Sequence, residues 1–510
     1  MTAAPTTSVA PRQTSRLRAV EHRASTFAFW VLLAVGLALR IVLLFTNSFR
    51  VDSDNAVVYL IAKHFSEGDV AWFFWGQTYG GTLLEMVAGA AMVVFGTHVE
   101  VLSIVGALFF VVATLLVRQI ATEAFGRRLV GNVAGVLFWF PGYWMQRVGT
   151  SEPGFYGPSL MLGLLTIWLV LRGDRRKSHL QWALIGLAAG LALWQSPMGI
   201  AIAAPAALVA VIRQFSPTRY LVGIAAAVLG ALPWIIVFLT TATAVKPQRD
   251  TPIALVNFVA FFSRMLPGVL SFTHTPSAPG PGSTSSAIVR YPVAIIAVAL
   301  IVMLLVLAIT KRSWWLGTLV ASTVTVVVVV VLGTGLILEV DSVRYAIFVL
   351  PAITIGIAYV VTLVPLAGLG AMAVAVAFTV AQVLIIFPDL RVSRAESFIV
   401  GNISVLGDYL EANDITGAYA DYWVSYSVTA ETGERAEVAA LSGPRRYAPY
   451  EDTAQAAPRA TVIVLRDNDN DRMLQTDASL PPSVRTEVGD YAVYSFAQPF
   501  DAYSYAWALY

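Results

Sequence analysis

The chain contains no cysteine. This absence excludes structural disulfides, thiolate metal sites and a cysteine nucleophile. Charged residues are also scarce, at 13% of 510 positions, against roughly 25% in soluble domains. The net charge is only +2, so the composition indicates no nucleic-acid partner.

Hydrophobic residues make up 57% of the chain and occur in long runs, for example at 294–310, 316–338 and 366–387. Each run approaches the ~20 residues with which a helix crosses about 30 Å of hydrocarbon. The first run, 27–45, is long enough to span and lacks an Ala-x-Ala cleavage pattern, which predicts a retained helix. The fold class expected is a polytopic α-helical membrane protein with about 11 spanning helices.

The basic residues predict the orientation, because cytoplasmic loops carry an excess of Lys and Arg. With the short run 83–95 lying in the interface, the N-terminal tail (1–26) and four later clusters all fall inside. The outside loops are then 46–100 and a long one at 241–292. The expected location is the inner membrane, with a cytoplasmic N-terminus. The clusters are Arg118/Arg127/Arg128, Arg172/Arg175/Arg176/Lys177, Arg213/Arg219 and Lys311/Arg312.

The composition changes after the membrane domain (27–387). Charges become frequent in 388–510 and apolar runs become short. Segments 460–465 and 491–496 are typical of strands, and 403–412 is typical of an amphipathic helix. The sequence therefore predicts a small extracytoplasmic α/β domain at the C-terminus.

Acidic residues collect in the outside loops. Asp52 and Asp54 precede an apolar stripe at helical spacing that runs from Val57 to Phe65, which predicts a helix lying on the membrane surface. Asp54 could simply cap that helix, but a cap needs only one of the two aspartates. Glu152, in the next outside loop, could likewise begin a helix at Pro153. Acids at a membrane edge are costly, so together they favour an outward-facing active site.

Several motifs in this order resemble the GT-C superfamily of membrane glycosyltransferases, closest to the clan of protein O-mannosyltransferases and bacterial lipid A aminoarabinose transferase. That family has an acidic Asp-Glu-Ala-x-x-Tyr motif after helix 1; here Asn55 replaces the second acid, and Asp52 gives an Asp-x-Asp instead. The usual Pro pair before the surface helix is missing. The segments that carry the resemblance are 54–62, 76–85, the loop with Glu152, 344–351 and 419–424.

The resemblance implies transfer of a sugar from a polyprenyl-phosphate donor to a hydroxyl of a cell-envelope glycan, lipid or protein, in one inverting displacement. Asp54 is the expected base, Asp52 assists it and Glu152 orients a substrate. Arg344 is the first choice for the phosphate, because a guanidinium binds two phosphate oxygens. The other substrate-binding candidates are Lys246, Arg249, Tyr345, Tyr59, Gln77, Tyr79 and Glu85.

No cofactor is required by this chemistry, although oxygen ligands at Asp52, Asp54 and Glu152 suit Mg²⁺ or Mn²⁺. His64 is interpreted as a polar residue of the surface helix, since no second His or Cys stands at ligand spacing. Two other classes stay open, a secondary transporter and a membrane scaffold. Paired broken helices of the transporter type are not evident, and Arg40 in helix 1 is predicted to snorkel.

Overall fold

The computed structural model describes residues 10–44, 53–148, 154–172, 178–214, 216–240, 254–272, 285–333, 340–391, 402–498 and 501–504. The chain forms two compact units. The first unit comprises Met1–Val42, Ala107–Gly149 and Tyr156–Phe387; the second comprises Leu43–Gly106, Thr150–Phe155 and Pro388–Tyr510.

The described chain is mostly helical, with one small sheet. In chain order its helices are α1 (Ala10–Leu44), α2 (Ser53–Glu67), α3 (Leu83–Phe95), α4 (Val99–Phe125), α5 (Arg128–Trp139), α6 (Tyr143–Val148), α7 (Tyr156–Arg172), α8 (His179–Gln195), α9 (Pro197–Gln214), α10 (Pro217–Gly230), α11 (Leu232–Thr240), α12 (Ala254–Ala260), α13 (Leu266–Val269), α14 (Ser285–Thr310), α15 (Trp314–Gly333), α16 (Leu350–Val361), α17 (Ala367–Arg391), α18 (Ile403–Ala412), α19 (Tyr422–Glu431), α20 (Ala448–Ala456) and α21 (Asp469–Thr476). A π-helical turn covers Phe261–Met265, and 3₁₀ segments cover Val340–Val349 and Ala502–Ser504. The strands are β1 (Gly417–Ala420), β2 (Glu437–Ala440), β3 (Thr461–Leu465), β4 (Ser483–Val488) and β5 (Tyr491–Phe496).

Six described helices are long and apolar enough to cross a membrane, or seven if α10 and α11, bent by 64°, form one span. Five further apolar helical segments are shorter: Leu83–Phe95, Arg128–Trp139, Tyr156–Arg172, Pro197–Arg213 and Ala254–Val269. A 12-residue helix rises only about 18 Å, so length alone does not make it a span. The chain is a polytopic membrane protein, and the number of eleven spans stays a prediction.

Arg40 of α1 lies inside the first unit. Its guanidinium carbon stacks 3.4 Å from the ring centre of Trp139, and its nitrogens donate to the carbonyls of Gly36 and Trp139. Gly36 permits this packing, since a Cβ there would lie 2.1 Å from Trp139 Nε1. The prediction that Arg40 snorkels to the interface is wrong, because its side chain is only 1% exposed.

Small residues bring α8 and α10 into close contact. A Cβ on Gly186 would lie 2.0 Å from the carbonyl oxygen of Gly223, and one on Gly190 would lie 2.1 Å from that of Ala227. Such pairs, four residues apart on each helix, let backbones approach where lipid supplies no hydrophobic driving force between helices. The sequence therefore fixes this helix pair through small residues and not through large apolar ones.

The stretch 241–292, predicted to be a long outside loop, contains regular structure. Its described residues include α12, the π-helical turn and α13, and α14 already begins at Ser285. Residues Phe261, Phe262 and Leu266 are buried, because this apolar segment packs within the first unit. On which side of a membrane the stretch lies stays a prediction.

The C-terminal part of the second unit is a three-layer α/β domain. Its sheet has the order β2-β1-β3-β5-β4, with β1 parallel to β2 and β3, and β5 antiparallel to β3 and β4. Alternating side chains of β3 enter two hydrophobic cores, one on each face of the sheet. Val462 and Val464 belong to the first core, and Ile463 belongs to the second. Helices α18 and α19 cover the second core, and α20 and α21 the first. The predicted helix 403–412 and the strands near 460–465 and 491–496 are confirmed.

Helix α2 belongs to the same unit and packs against α3 and α19. Its predicted stripe is buried by protein, with Val57 and Leu60 fully inaccessible. Gly89 brings α3 close, since a Cβ there would lie 2.6 Å from the carbonyl oxygen of Ala62. The helix was predicted correctly, but its apolar face is covered by protein and is not free to enter a lipid surface.

Candidate active site

Asp54 lies in the first turn of α2, which begins at Ser53. The free N–H groups of a helix N-terminus make this a favourable place for a negative charge. The hydroxyl of Tyr422, the first residue of α19, donates a hydrogen bond to Asp54 Oδ1. A side chain of the C-terminal domain thus holds the carboxylate that sequence analysis selected as the base.

A second hydrogen bond fastens the same two helix ends. The Ser53 hydroxyl donates to the backbone carbonyl of Tyr422, and its oxygen also lies 3.4 Å from the Ser427 hydroxyl. Ser53 is completely buried. The contact between Ser53, Asp54 and Tyr422 is therefore reciprocal, with each helix end binding the other, and we call it the Asp54–Tyr422 clasp.

Arg446 flanks this clasp. Its guanidinium carbon lies 5.7 Å from the ring centre of Tyr422 and 5.1 Å from that of Phe74. Burial raises the pKa of the Tyr422 hydroxyl well above its usual range, and Asp54 raises it further, against the opposing effect of Arg446. Tyr422 therefore keeps its proton at physiological pH and acts as the donor to Asp54.

Residues 72–81 form a tight loop next to the clasp. Phe73 and Gly81 form an antiparallel bridge, and the backbone N–H of Phe74 donates to the carbonyl of Gly80 over 2.9 Å. Gly76 has φ of +69°, and a Cβ there would lie 2.9 Å from the carbonyl oxygen of Arg445. Glycine is needed at this position both for its backbone angle and for the close approach of the two loops.

The aromatic side chains of this region divide into exposed and buried ones. Tyr79 is 49% exposed and Trp72 54% exposed, and Gln77 is half-buried on the same loop. Trp75 is buried and stacks on Tyr447, with ring centres 4.1 Å apart. Tyr79, predicted to bind substrate, is therefore among the exposed aromatic residues of this loop, and its contact with a sugar stays a prediction.

Two other substrate-binding candidates lie inside the protein. Tyr59 is 7% exposed and donates its hydroxyl to the carbonyl of Thr97 over 2.8 Å, so its ring has no free face for a sugar. Glu85 is 2% exposed on α3, and burial raises its pKa to about 8. A carboxyl that is mostly protonated at neutral pH offers no charge to a substrate. Both expectations are corrected, because protein packing covers these side chains.

The other half of α2 carries an ion-pair network. Lys63 Nζ lies 2.5 Å from Glu434 and 2.8 Å from Glu67, and His64 Nε2 lies 2.7 Å from Glu434. Tyr450 donates its hydroxyl to Glu434 over 2.6 Å. We call Lys63, His64, Glu67, Glu434 and Tyr450 the Glu434 network. It ties α2 to the turn that follows α19.

The carboxylate of Glu434 and the basic groups of Lys63 and His64 favour one another's charged forms. Burial disfavours the ionised form of Glu434, but hydrogen bonds from its three partners outweigh burial and lower its pKa to about 2. Burial likewise opposes charge on His64, yet Glu434 raises the pKa of the imidazole above its ordinary value. Among the described residues, ligand atoms of His64, Glu67 and Glu434 lie within 4.8 Å of one another. The Lys63 ammonium between the two carboxylates repels a divalent cation, so the geometry fits an ion-pair network better.

Several predicted site residues lie outside the described ranges: Asp52, Glu152, Lys246 and Arg249. A divalent ion held by Asp52, Asp54 and Glu152 therefore stays a prediction. Arg344 and Tyr345 are half-buried in the 3₁₀ segment of the first unit. The Arg344 guanidinium carbon lies 5.8 Å from the ring centres of both Tyr156 and Tyr345.

Sequence reasoning missed the roles of Tyr422 and Arg446. Segment 419–424 carried part of the resemblance, but nothing distinguished Tyr422 from its aromatic neighbours. Asp421 caps α19, accepting from the N–H of Trp423 over 2.7 Å, and this fixes the turn that carries Tyr422. The pair Arg445–Arg446 in a loop after β2 was the one available signal for a cation here.

No known family profile matches the chain, and no curated protein matches its sequence. Solved structures do match. ArnT from Cupriavidus metallidurans in the apo state gives a TM-score of 0.59 at 13% identity, covering 92% of this chain and 98% of that one. The same protein bound to undecaprenyl phosphate gives 0.56 at 12% identity, with the same coverage.

The oligosaccharyltransferase of Archaeoglobus fulgidus in the apo form gives a TM-score of 0.47 at 12% identity, over 86% of this chain and 69% of that one. At such identities a match establishes the fold, and the two ArnT structures establish it along nearly the full length of both chains. The chain therefore has the fold of ArnT, as the motif resemblance to membrane glycosyltransferases predicts.

Proposed function

We propose that this protein is a membrane glycosyltransferase that moves a sugar from a polyprenyl-phosphate donor to an acceptor hydroxyl on the extracytoplasmic face. The observation that carries the proposal is the Asp54 carboxylate, which is held at a helix N-terminus by Tyr422 within an ArnT-like fold. An ArnT structure was solved bound to undecaprenyl phosphate, the kind of lipid that a polyprenyl-phosphate donor becomes when its sugar has left. The acceptor is a glycan, lipid or protein of the cell envelope.

The chemistry proposed needs a base and no general acid. The acceptor oxygen attacks the anomeric carbon while the bond from that carbon to the phosphate oxygen breaks. The electron pair leaves with the lipid phosphate, a weak base that needs no proton. Asp54 takes the proton of the acceptor hydroxyl, with Asp52 assisting and Glu152 orienting a substrate. One displacement inverts the anomeric centre, whereas a retaining route needs a nucleophile and an acid/base pair.

Cations and polar groups complete the proposed binding function. Arg344 remains the first candidate for the donor phosphate, with Lys246 and Arg249 as further candidates, because fixed positive charge stabilises the phosphate as its negative charge develops. Tyr79, which is 49% exposed, is a further candidate for contact with the sugar. Transfer measured with and without a chelator tests whether the reaction also uses a Mg²⁺ or Mn²⁺ ion.

The experiment is transfer of radiolabelled sugar in proteoliposomes, from undecaprenyl-phosphate donors that carry different hexoses and pentoses, to cell-envelope lipid and glycan fractions. Asp54→Asn keeps the shape of the side chain but removes the base. A fall in kcat of at least about 100-fold is expected, the order of a lost general base. Asp469→Asn is the matched control, since Asp469 also lies in a first helical turn but is 95% exposed.

Each outcome has a separate meaning. Loss of transfer in Asp54→Asn with a normal Asp469→Asn supports both the reaction class and the base. Full transfer in Asp54→Asn keeps the reaction class but rejects Asp54 as the base. No transfer by the wild type from any donor rejects the glycosyltransferase, and substrate uptake into the same vesicles then tests the transporter class.

A further inference from the structure

We propose that the C-terminal domain completes the catalytic centre, with Tyr422 acting as the positioning residue for the carboxylate of Asp54. This inference rests on the proposed function and deepens it. Binding of the acceptor is the alternative role for this domain. The structure links it directly to the reacting group, because the hydroxyl of Tyr422 donates to Asp54 Oδ1.

The geometry leaves one oxygen of Asp54 for the reaction. Tyr422 engages Oδ1, and the side chain is only partly buried, so the carboxylate is accessible to a substrate. A fixed Oδ1 restricts rotation of the carboxylate, which aims Oδ2 in one direction. Such restriction matters for catalysis, because a proton acceptor must lie about 2.6–3.2 Å from the hydroxyl that it deprotonates.

Tyr422 is itself held from three directions. Its backbone carbonyl accepts from Ser53, its ring lies 5.3 Å from that of Trp423, and Arg446 sits over its face. The side chain of Tyr422 is 5% exposed. A side chain with so little freedom can fix its partner, as a functional group needs surrounding residues whose own conformations are locked by packing.

The positioning role and an acceptor-binding role make different kinetic predictions. A residue that only binds the acceptor raises KM when it is altered and leaves kcat unchanged. A residue that positions the base acts on the transition state, so its loss lowers kcat at saturating acceptor. The split between kcat and KM therefore distinguishes the two roles.

The test compares Tyr422→Phe with the wild type in the proteoliposome assay, using the full chain and the undecaprenyl-phosphate donor that the wild type accepts. The variant keeps the ring and removes only the hydroxyl. We expect kcat to fall on the order of 10- to 100-fold with the acceptor KM changed less than about twofold, the loss typical of one hydrogen bond to a charged group.

Tyr494→Phe is the matched control. Tyr494 also donates its hydroxyl to a buried carboxylate of the same domain, Asp471, over 2.5 Å. Tyr494 lies on β5 and is not part of the clasp, so Tyr494→Phe should leave kcat unchanged. Ser53→Ala provides a second variant if Tyr422→Phe does not fold, because it loosens Tyr422 through its backbone carbonyl. It should lower kcat several-fold without raising the acceptor KM.

The outcomes separate this inference from the proposed function. If Asp54→Asn abolishes transfer but Tyr422→Phe leaves kcat unchanged or raises only the acceptor KM, the positioning role is overturned and the function stands. If Tyr494→Phe lowers kcat as much as Tyr422→Phe does, the positioning role is also overturned, because the effect would then be a general one on the domain. No transfer by the wild type rejects the proposed function instead.

Discussion

The Glu434 network makes a quantitative prediction about how firmly α2 is held. Glu434→Gln removes the charge that faces Lys63 and His64 while keeping the side-chain shape. Glu434 has its pKa lowered from 4.5 to about 2, and a tenfold change in proton affinity corresponds to about 1.4 kcal/mol. The ionised carboxylate therefore stabilises the folded unit by up to about 3 kcal/mol. Lys63 keeps Glu67 as a partner, so we expect a loss of about 2–3 kcal/mol.

The chain's lack of cysteine provides the assay. Val58→Cys on α2 introduces a single thiol at a position that is 3% exposed, and a maleimide in the medium labels it only when α2 opens. In the limit of rapid reclosing, the labelling rate reports the free energy of that opening. A loss of 2–3 kcal/mol should speed labelling of the Val58→Cys protein about 30- to 150-fold when Glu434→Gln is added.

The control for this prediction is Glu411→Gln, which removes an ion pair with Arg435 at 2.6 Å in the same domain. Arg435 is 66% exposed, and such surface pairs contribute little. The Val58→Cys protein that also carries Glu411→Gln should therefore be labelled at the same rate as Val58→Cys alone. If Glu434→Gln labels no faster than Glu411→Gln, the network does not hold α2 and the reasoning from its distances is refuted.

Three further predictions concern the same unit. In amide hydrogen exchange, corrected for the intrinsic rate, protection of α2 should be greatest between about pH 4.5 and 6.5. The lowered pKa of Glu434 gives stability that is lost as the pH falls towards about 2. The raised pKa of His64 gives stability that is lost as the pH rises through that pKa. A flat profile would contradict this. Gly76→Ala should destabilise the unit more than Gly68→Ala in a thermal melt, since both have positive φ but a Cβ at position 68 meets nothing within 4 Å. Asp471→Asn should lower the free energy of unfolding by about 2–4 kcal/mol in the same thermal melt. The fully buried carboxylate of Asp471 accepts two hydrogen bonds from the guanidinium of Arg485, and the substitution removes the charge that this arginine pairs with. An unchanged melting temperature would exclude that role.

Local patterns in the sequence predicted the longer helices and strands well, but they did not predict which parts of the protein pack around them. The bounds of α3 and α18 follow from apolar spacing, and both helices form where expected. The strands β1, β2 and β4 were not recognised, because two have only four residues and β4 is a polar edge strand with Arg485 and Glu487 on it. Such short or charged strands owe their structure to their neighbours and carry little periodic signal.

The errors at single residues share a cause. Arg40 was expected at the interface, yet the Trp139 ring and two carbonyls give its guanidinium partners inside the first unit. Tyr59 and Glu85 belong to motifs of the resemblance, yet packing around α2 and α3 buries them. In each case the residue type and its place along the chain were correctly noted. What could not be known was which distant side chains would cover it.

The clasp shows the same limit at the proposed site, and it gives a physical reason for the C-terminal domain to be needed there. Asp54 and Tyr422 are 368 positions apart, so no local spacing connects them. A base on a short helix between membrane-spanning segments would be poorly fixed by its own loop, and catalysis needs atoms placed within about 0.5 Å. The C-terminal sheet is a rigid element with cores on both faces, and α19 extends from it to α2. Because the proposed base depends on a residue that follows the last membrane segment, transfer activity should require the complete C-terminal domain.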